Sequence, residues 1–135
     1  MPSFHDVAET SAEPQQVWKL LYDPARFPEW WAGIGTVELD GEREGSYTMY
    51  PDGYPDFPMA QVLETAREES RVTVSCLVSD LRFEWGLEPL ERGAGTRISV
   101  DVEIPDAEAA RLESQRETIR TSLAKLAELA ALTLD

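Results

Sequence analysis

The chain has one cysteine, Cys76, one histidine, His5, and only two lysines, Lys19 and Lys125, among its 135 residues. A lone cysteine excludes an internal disulfide, and together with a lone histidine it excludes a Cys/His zinc cluster, so no metal site is expected. No apolar run approaches the roughly 20 residues that cross a bilayer. The opening "MPSFHDVAE" has no basic segment followed by an apolar one, so no signal peptide is expected and a cytoplasmic location follows by default. Positive charge is scarce, with 12 Lys and Arg against 26 Asp and Glu, a net charge of −14. Such a surface repels nucleic-acid backbones and anionic lipid headgroups, which excludes both as expected partners. The "GIG" of residues 33–35 lacks the third glycine and the preceding strand of a dinucleotide fingerprint and reads as a turn, so no cofactor is expected. There is no internal repeat, low-complexity tract or linker-like shift in composition.

What is present describes one globular unit. With 42% hydrophobic and 28% charged residues, the chain reads as a single domain over residues 1–135, exposing about 7,000 Å² when folded. "SFHDVAE" (3–9) is a short mixed alternation that suits a strand. Pro14 then suits the first turn of a helix carrying Val17, Leu20 and Leu21. Asp23-Pro24 ends that helix, because the residue before proline is pushed out of the α region, and Pro24 opens a second short turn toward Trp30.

From residue 36 the texture becomes short runs separated by Gly, Pro and acidic turns: "TVELDGE", "GSYTMYPDG", "PMAQVLETA", "SRVTVSCLVSD", "LRFEWGLEPL" and "TRISVDVEIP". Period-two alternation places Val72, Val74, Cys76 and Val78 on one face, with Leu81, Phe83, Trp85 and Leu87, and Ile98, Val100, Val102 and Ile104. One buried and one wet face is the antiparallel pattern. "AREESR" (66–71) and "ERGAGT" (91–96) read as hairpin connections. After Pro105-Asp106 the pattern turns helical for about 27 residues, roughly 40 Å, with Leu112, Ile119, Leu123, Leu126 and Ala130 on one stripe.

The expected fold class is therefore α+β: a curved antiparallel sheet of about seven strands around a long C-terminal helix, with two short helices after the first strand. A seven-stranded twisted sheet is much wider than one helix of about 10–12 Å. The remaining space is filled by large side chains, closed by the two short helices, or left as a pocket, and Phe27, Trp30 and Trp31 are placed to plug or rim one end of it.

"SAEPQQVWKLLYDPARFPEWW" resembles the opening of the START-like, helix-grip SRPBCC superfamily, in particular its bacterial polyketide cyclase/dehydrase-type branch: a strand, a Pro-led helix carrying Val-Trp, then Asp-Pro and Trp. "RETIRTSLAKLAELA" is similar to the terminal helix of the same proteins. The resemblance spans the chain in element order and is a fold signature rather than a catalytic one. It implies a hydrophobic ligand cavity between sheet and last helix.

The candidate cavity residues come from strand parity, the helix stripe and one aromatic-rich segment. Cys76, Phe83 and Trp85 face inward and either line a pocket or pack on the helix. Trp30 stands at one end, Tyr47 is a candidate interior polar group, and Ile119 faces in from the helix. Arg116 falls between Leu112 and Ile119, so it either meets a carbonyl-bearing or anionic ligand inside or reaches the rim to pair with Glu113. "TMYPDGYPDFPMAQ" (48–61) brings Met49, Tyr54, Phe57 and Met59 together either as an adaptable lid or as a turn covering the sheet edge. His5 stands alone, and no catalytic residue is specified.

Three functions follow. The first is binding of a hydrophobic small molecule, a lipid, a polyketide or similar. The second is a polyketide aromatase/cyclase, which wants polar or cationic groups inside the pocket; Arg82 and Arg97 fall on the outward parity, leaving Arg116, Tyr47 and Tyr54. The third is a regulatory or protein-interaction module with a filled interior. Oligomeric state is not encoded in any feature of the sequence.

Overall fold

The structure, a computed structural model, describes residues 2–42, 45–90 and 95–132. Strand β1 (Ser3–Thr10) is followed by helix α1 (Pro14–Leu21) and a 3-10 helix (Pro24–Glu29). Six strands come next: β2 (Ile34–Leu39), β3 (Ser46–Pro51), β4 (Met59–Ala66), β5 (Arg71–Cys76), β6 (Arg82–Pro89) and β7 (Thr96–Glu103). A 3-10 turn (Asp106–Arg111) leads into helix α2 (Leu112–Leu132). All pairings are antiparallel, and the sheet runs β1-β7-β6-β5-β4-β3-β2. This is the α+β helix-grip arrangement that the sequence pattern implies.

Three local expectations are corrected. Ile34 and Gly35 of the supposed turn already belong to β2, because Gly33, at φ +89, makes the reversal one residue earlier. Val78 does not face inward but is 57% exposed. The chain reverses directly after Cys76: the Cys76 amide donates to the Leu81 carbonyl (2.8 Å), and the Asp80 amide donates to the Cys76 carbonyl (2.9 Å), so strand parity stops before Val78. The long terminal helix is 21 residues of α-helix preceded by a 3-10 turn, not one continuous rod of about 27. Of the expected hairpin "ERGAGT", residues 91–94 lie outside the described residues.

The concave face of the sheet carries the core. Val72, Val74, Trp85, Ile98, Val100 and Val102 are essentially inaccessible, and Ile119, Leu123, Leu126 and Ala130 of α2 pack toward them. The convex face is wet and charged. There Arg71 pairs with Glu84, Arg82 with Glu103 (3.4 Å), Arg97 with Glu9 (3.2 Å), and His5 with Asp101 (2.7 Å). Exposed pairs of this kind add little stability, but they hold Arg82 and Arg97 outside the interior.

Two features decide where the interior is full. The first is an aromatic plug. Asp23 caps the 3-10 helix by accepting from the Ala25 amide (3.1 Å), and the Trp30 indole N–H donates to the Leu20 carbonyl (3.0 Å), folding the broken helical pair onto itself. Phe27 then meets Trp30, Trp31 and Tyr47 at centroid distances of 5.4, 5.1 and 5.9 Å, and Trp85 meets Trp30 and Trp31 edge-on at 5.1 and 5.2 Å. The second is the placement of α2. The Thr10 hydroxyl donates to the Ala127 carbonyl (2.7 Å), tying α2 to the β1 side of the sheet. The Ala32 amide donates to the Ser122 hydroxyl (2.9 Å), tying it to the segment after the plug. The helix thus lies toward β1, and the concave surface of β3, β4 and β5 is left short of cover.

Candidate functional site

That uncovered region is a cleft of about 200 Å³. Its floor is made by Trp31, Tyr47, Gln61, Val74, Cys76, Leu81 and Phe83, all buried. Its rim is made by half-buried Ile34, Met49, Pro51, Met59 and Ser79, by Arg111 at the end of the 3-10 turn, and by Gln115 and Thr118 of α2. An apolar wall with a few polar groups is the usual composition of a small-molecule site. The volume is below the 300 to 1,000 Å³ or so of drug-sized pockets and slightly above the roughly 150 Å³ that holds benzene, which limits a fully enclosed guest to one or two rings or a short branched chain.

The polar groups on the floor form a row. Tyr47 of β3 is the register partner of Gln61 of β4, and Gln61 is the register partner of Cys76 of β5. Adjacent strands lie about 4.8 Å apart, so a hydroxyl, an amide and a thiol follow one another across the floor on one face. Gln61 is 4% exposed, and its Nε2 has no hydrogen-bond partner. An amide donor in that state costs about 1–3 kcal/mol, which a ligand bringing an acceptor returns. The only other buried side-chain nitrogen or oxygen atom in this condition among the described residues is the Trp85 indole nitrogen, inside the plug.

Burial, followed by the neighbouring Cys76 thiol, pushes the Tyr47 hydroxyl well above its ordinary value. Tyr47 therefore stays a neutral donor under all physiological conditions. The same shift predicts alkaline instability. Above about pH 10 the unfolded chain releases this proton and the folded protein keeps it, so the unfolded state binds fewer protons and stability falls with rising pH. One such group contributes a slope of about 1.4 kcal/mol per pH unit. Between pH 9 and 11 urea unfolding is expected to show about 1.4 kcal/mol more loss of stability in the wild type than in Tyr47→Phe, since the unfolded tyrosine is only half ionised at about pH 10; equal losses would contradict it.

Of the residues singled out from sequence, Tyr47, Met49, Met59, Cys76 and Phe83 come together in the cleft. Trp30 and Trp85 sit behind Trp31 and Phe83 in the plug, because Trp31, one position further on, occupies the wall. Ile119 is buried against the sheet rather than lining the cleft. Tyr54 and Phe57 stand on the turn between β3 and β4, 66% and 55% exposed, outside the lining. Arg116 is exposed, with its guanidinium carbon 5.5 Å from the Phe4 ring centroid, rather than in the cavity or against Glu113. The reason is helical phase. The 3-10 turn carries Arg111, and α2 carries Gln115 and Thr118, on the cleft side of the buried Ile119, while Arg116 lies on its other side, at the flank of β1.

Gln61 was missed, although the alternation of Met59, Gln61 and Leu63 carries the signal of an inward polar residue. Trp31 stands at the cleft as one of the aromatics expected to plug or rim it, whereas Arg111, Gln115 and Thr118 carry no such signal. Arg111 is held at the rim by Glu108 (3.4 Å). Two wider grooves, about 600 and 590 Å³, share the exposed Tyr22, one running beside α1 and the other beside β3 and β4. Neither holds an unpartnered buried polar group, so neither carries the same demand for a ligand. Among the described residues, no cluster of His, Cys, Asp or Glu is suited to a metal ion, and no helix is long and apolar enough to cross a membrane.

A curved seven-stranded sheet gripping its last helix, with a partly apolar cleft between them, defines a helix-grip protein. The chain belongs to the family described as polyketide cyclase / dehydrase and lipid transport, which it matches over residues 1–131. Its fold is similar to that of the Zhui aromatase/cyclase from Streptomyces sp. R1128, at 13% identity and a TM-score of 0.79, covering 96% of this chain and 93% of that one. It is similar as well to the protein XoxI from Bacillus cereus, at 16% identity and a TM-score of 0.77, covering 96% and 95%. The di-domain ARO/CYC BexL from the BE-7585A biosynthetic pathway matches at 15% identity and a TM-score of 0.77, with 95% of this chain covering 46% of that one. No curated protein sequence matches the chain.

Proposed function

We propose that the cleft binds a small, neutral, largely apolar molecule bearing a hydrogen-bond acceptor, a class that includes short lipids and compact polyketide-like ring ketones. The observation that carries this reading is the unpartnered Gln61 amide, buried in the floor beside an apolar wall. A carbonyl oxygen placed there satisfies the donor, and the rest of the guest lies against Trp31, Val74, Leu81 and Phe83. Arg111, already paired with Glu108, is the lone charged residue in the lining, so a neutral guest fits better than an anion. The open cleft also favours ligand binding over an interaction module, for which a filled interior was expected.

Titration with acetophenone and with ethylbenzene, read by tryptophan fluorescence because Trp31 forms part of the wall, tests this. The ketone is expected to bind about tenfold tighter, since one satisfied donor is worth about 1.4 kcal/mol, and the preference is expected to vanish in Gln61→Leu. Arg116→Ala is expected to leave both affinities within about twofold, because its side chain lies outside the cleft. Failure of both compounds to bind would remove the proposal.

The aromatase/cyclase reading keeps one supporting observation: Tyr47 and Gln61 put two neutral donors on adjacent strands, where they polarise carbonyls of a folded chain. Product distribution from a short poly-β-ketone, compared between wild type and Tyr47→Phe, tests it; identical products would exclude Tyr47 from such chemistry.

A further inference from the structure

We propose that Cys76 is a covalent attachment site for small α,β-unsaturated carbonyl compounds, with the Gln61 amide holding the carbonyl oxygen during the addition. The inference rests on the ligand-binding reading of the cleft and goes beyond it by naming a reactive class of guest and the atom it bonds to. Three observations converge. The Cys76 thiol is free and lines the floor. The unpartnered Gln61 amide lines the same floor at 4% exposure, as a donor with no acceptor. The two residues are register partners on adjacent strands, so their β-carbons lie about 5 Å apart on one face.

An enone carries its carbonyl oxygen and its electrophilic β-carbon at the two ends of one short conjugated system. Seating the oxygen on the Gln61 N–H therefore brings the β-carbon toward the thiol of the next strand. In the addition, sulfur bonds to the β-carbon, the C=C π pair shifts toward the carbonyl oxygen, and the S–H proton ends on the α-carbon. One S–H and one C=C are consumed, one C–S and one C–H are formed, and no oxidant or reductant takes part. Negative charge develops on the oxygen during this step, where the Gln61 donor stabilises it, and among the described residues no carboxylate lines the cleft to oppose it. Holding the two partners in this geometry supplies the proximity that a thiol free in solution lacks.

The test uses the folded protein, 2-cyclohexen-1-one as the enone, and methyl methanethiosulfonate as a thiol reagent that needs no carbonyl donor. Intact-mass measurement is expected to show a single cyclohexenone adduct on the wild type and none on Cys76→Ala. In Gln61→Leu the adduct is expected to form at least tenfold more slowly, while methyl methanethiosulfonate labels both proteins at rates within about twofold. Gln61→Met serves as a second donor-less variant, with circular dichroism establishing that each is folded. The proposal is overturned if the wild type gains no adduct, if cyclohexenone reacts equally fast with both donor-less variants and the wild type, or if the thiosulfonate cannot reach Cys76. Acetophenone titration separates the two claims: binding without enone addition removes this inference alone, and absence of both removes the ligand reading with it.

Discussion

Truncation of Phe27 to alanine is expected to cost about 3–5 kcal/mol of unfolding free energy, a large fraction of the roughly 5–15 kcal/mol that holds an ordinary domain folded. Phe27 is fully inaccessible and touches Trp30, Trp31 and Tyr47, so its removal opens a void in a cluster of rigid rings that cannot collapse around it. The same void lets Trp31, a wall of the cleft, tilt away from its position. Ligand affinity is therefore expected to fall even under conditions where the variant remains folded. Urea denaturation gives the first quantity, and fluorescence titration in low denaturant gives the second. Phe57→Ala, on the exposed turn, is the contrasting case and is expected to stay within about 0.5 kcal/mol of wild type. A Phe27→Ala cost below about 1 kcal/mol would mean that the plug is not the packed unit described here.

Gly95→Ala is expected to be of comparable severity, about 2–5 kcal/mol, for a reason that has nothing to do with apolar burial. Gly95 precedes β7 at φ +127, and a β-carbon there would stand 2.1 Å from the Thr10 carbonyl oxygen and 3.1 Å from the Ser11 α-carbon. Both obstacles are backbone, so the end of β1 must move. That end carries Thr10, whose hydroxyl holds α2 through Ala127. Gly53→Ala separates conformational strain from collision: it has a similarly unusual φ of +84 but open space around the added carbon. Its cost is expected to be about 1 kcal/mol. Thermal or urea unfolding of the pair checks the difference, and equal losses at the two positions would show that the close approach to β1 is relieved at no cost.

These two substitutions probe different levels of legibility. The Phe27 cluster was announced by the aromatic density of "RFPEWW", because three large rings so close in sequence must share one buried volume or lie exposed. The constraint on Gly95 was invisible, since it depends on the end of another strand passing within contact distance. The cleft falls between these cases. Strand parity brings Cys76 and Phe83 to the face that lines the cleft, while Met49 and Met59 reach it from the 48–61 segment and Tyr47 as an interior polar group. Parity also brings Trp85, which the plug covers. Arg116 lies between Leu112 and Ile119 on the helix stripe, but that stripe says only that it is near the sheet: with α2 leaning toward β1, Arg116 falls beside Phe4, and Gln115 and Thr118 are on the cleft side. Gln61 was overlooked because a polar residue on an apolar strand face draws notice only when its lack of a partner is known.

The alternation of apolar residues, the Asp-Pro break and the terminal helical stripe determined by themselves a broad one-sided sheet covered by one slender helix. Local sterics and the need to bury an apolar face leave few other arrangements. The strong excess of acid over base likewise set the character of the outer surface. Parity reports which face a side chain takes, but not what stands opposite it. Only the tertiary structure decided that α2 lies toward β1, that the plug fills the space above Trp85, and that the row of Tyr47, Gln61 and Cys76 is left facing an opening. Each of these depends on contacts between residues far apart in the chain, where a shift of a few ångströms converts core into cavity.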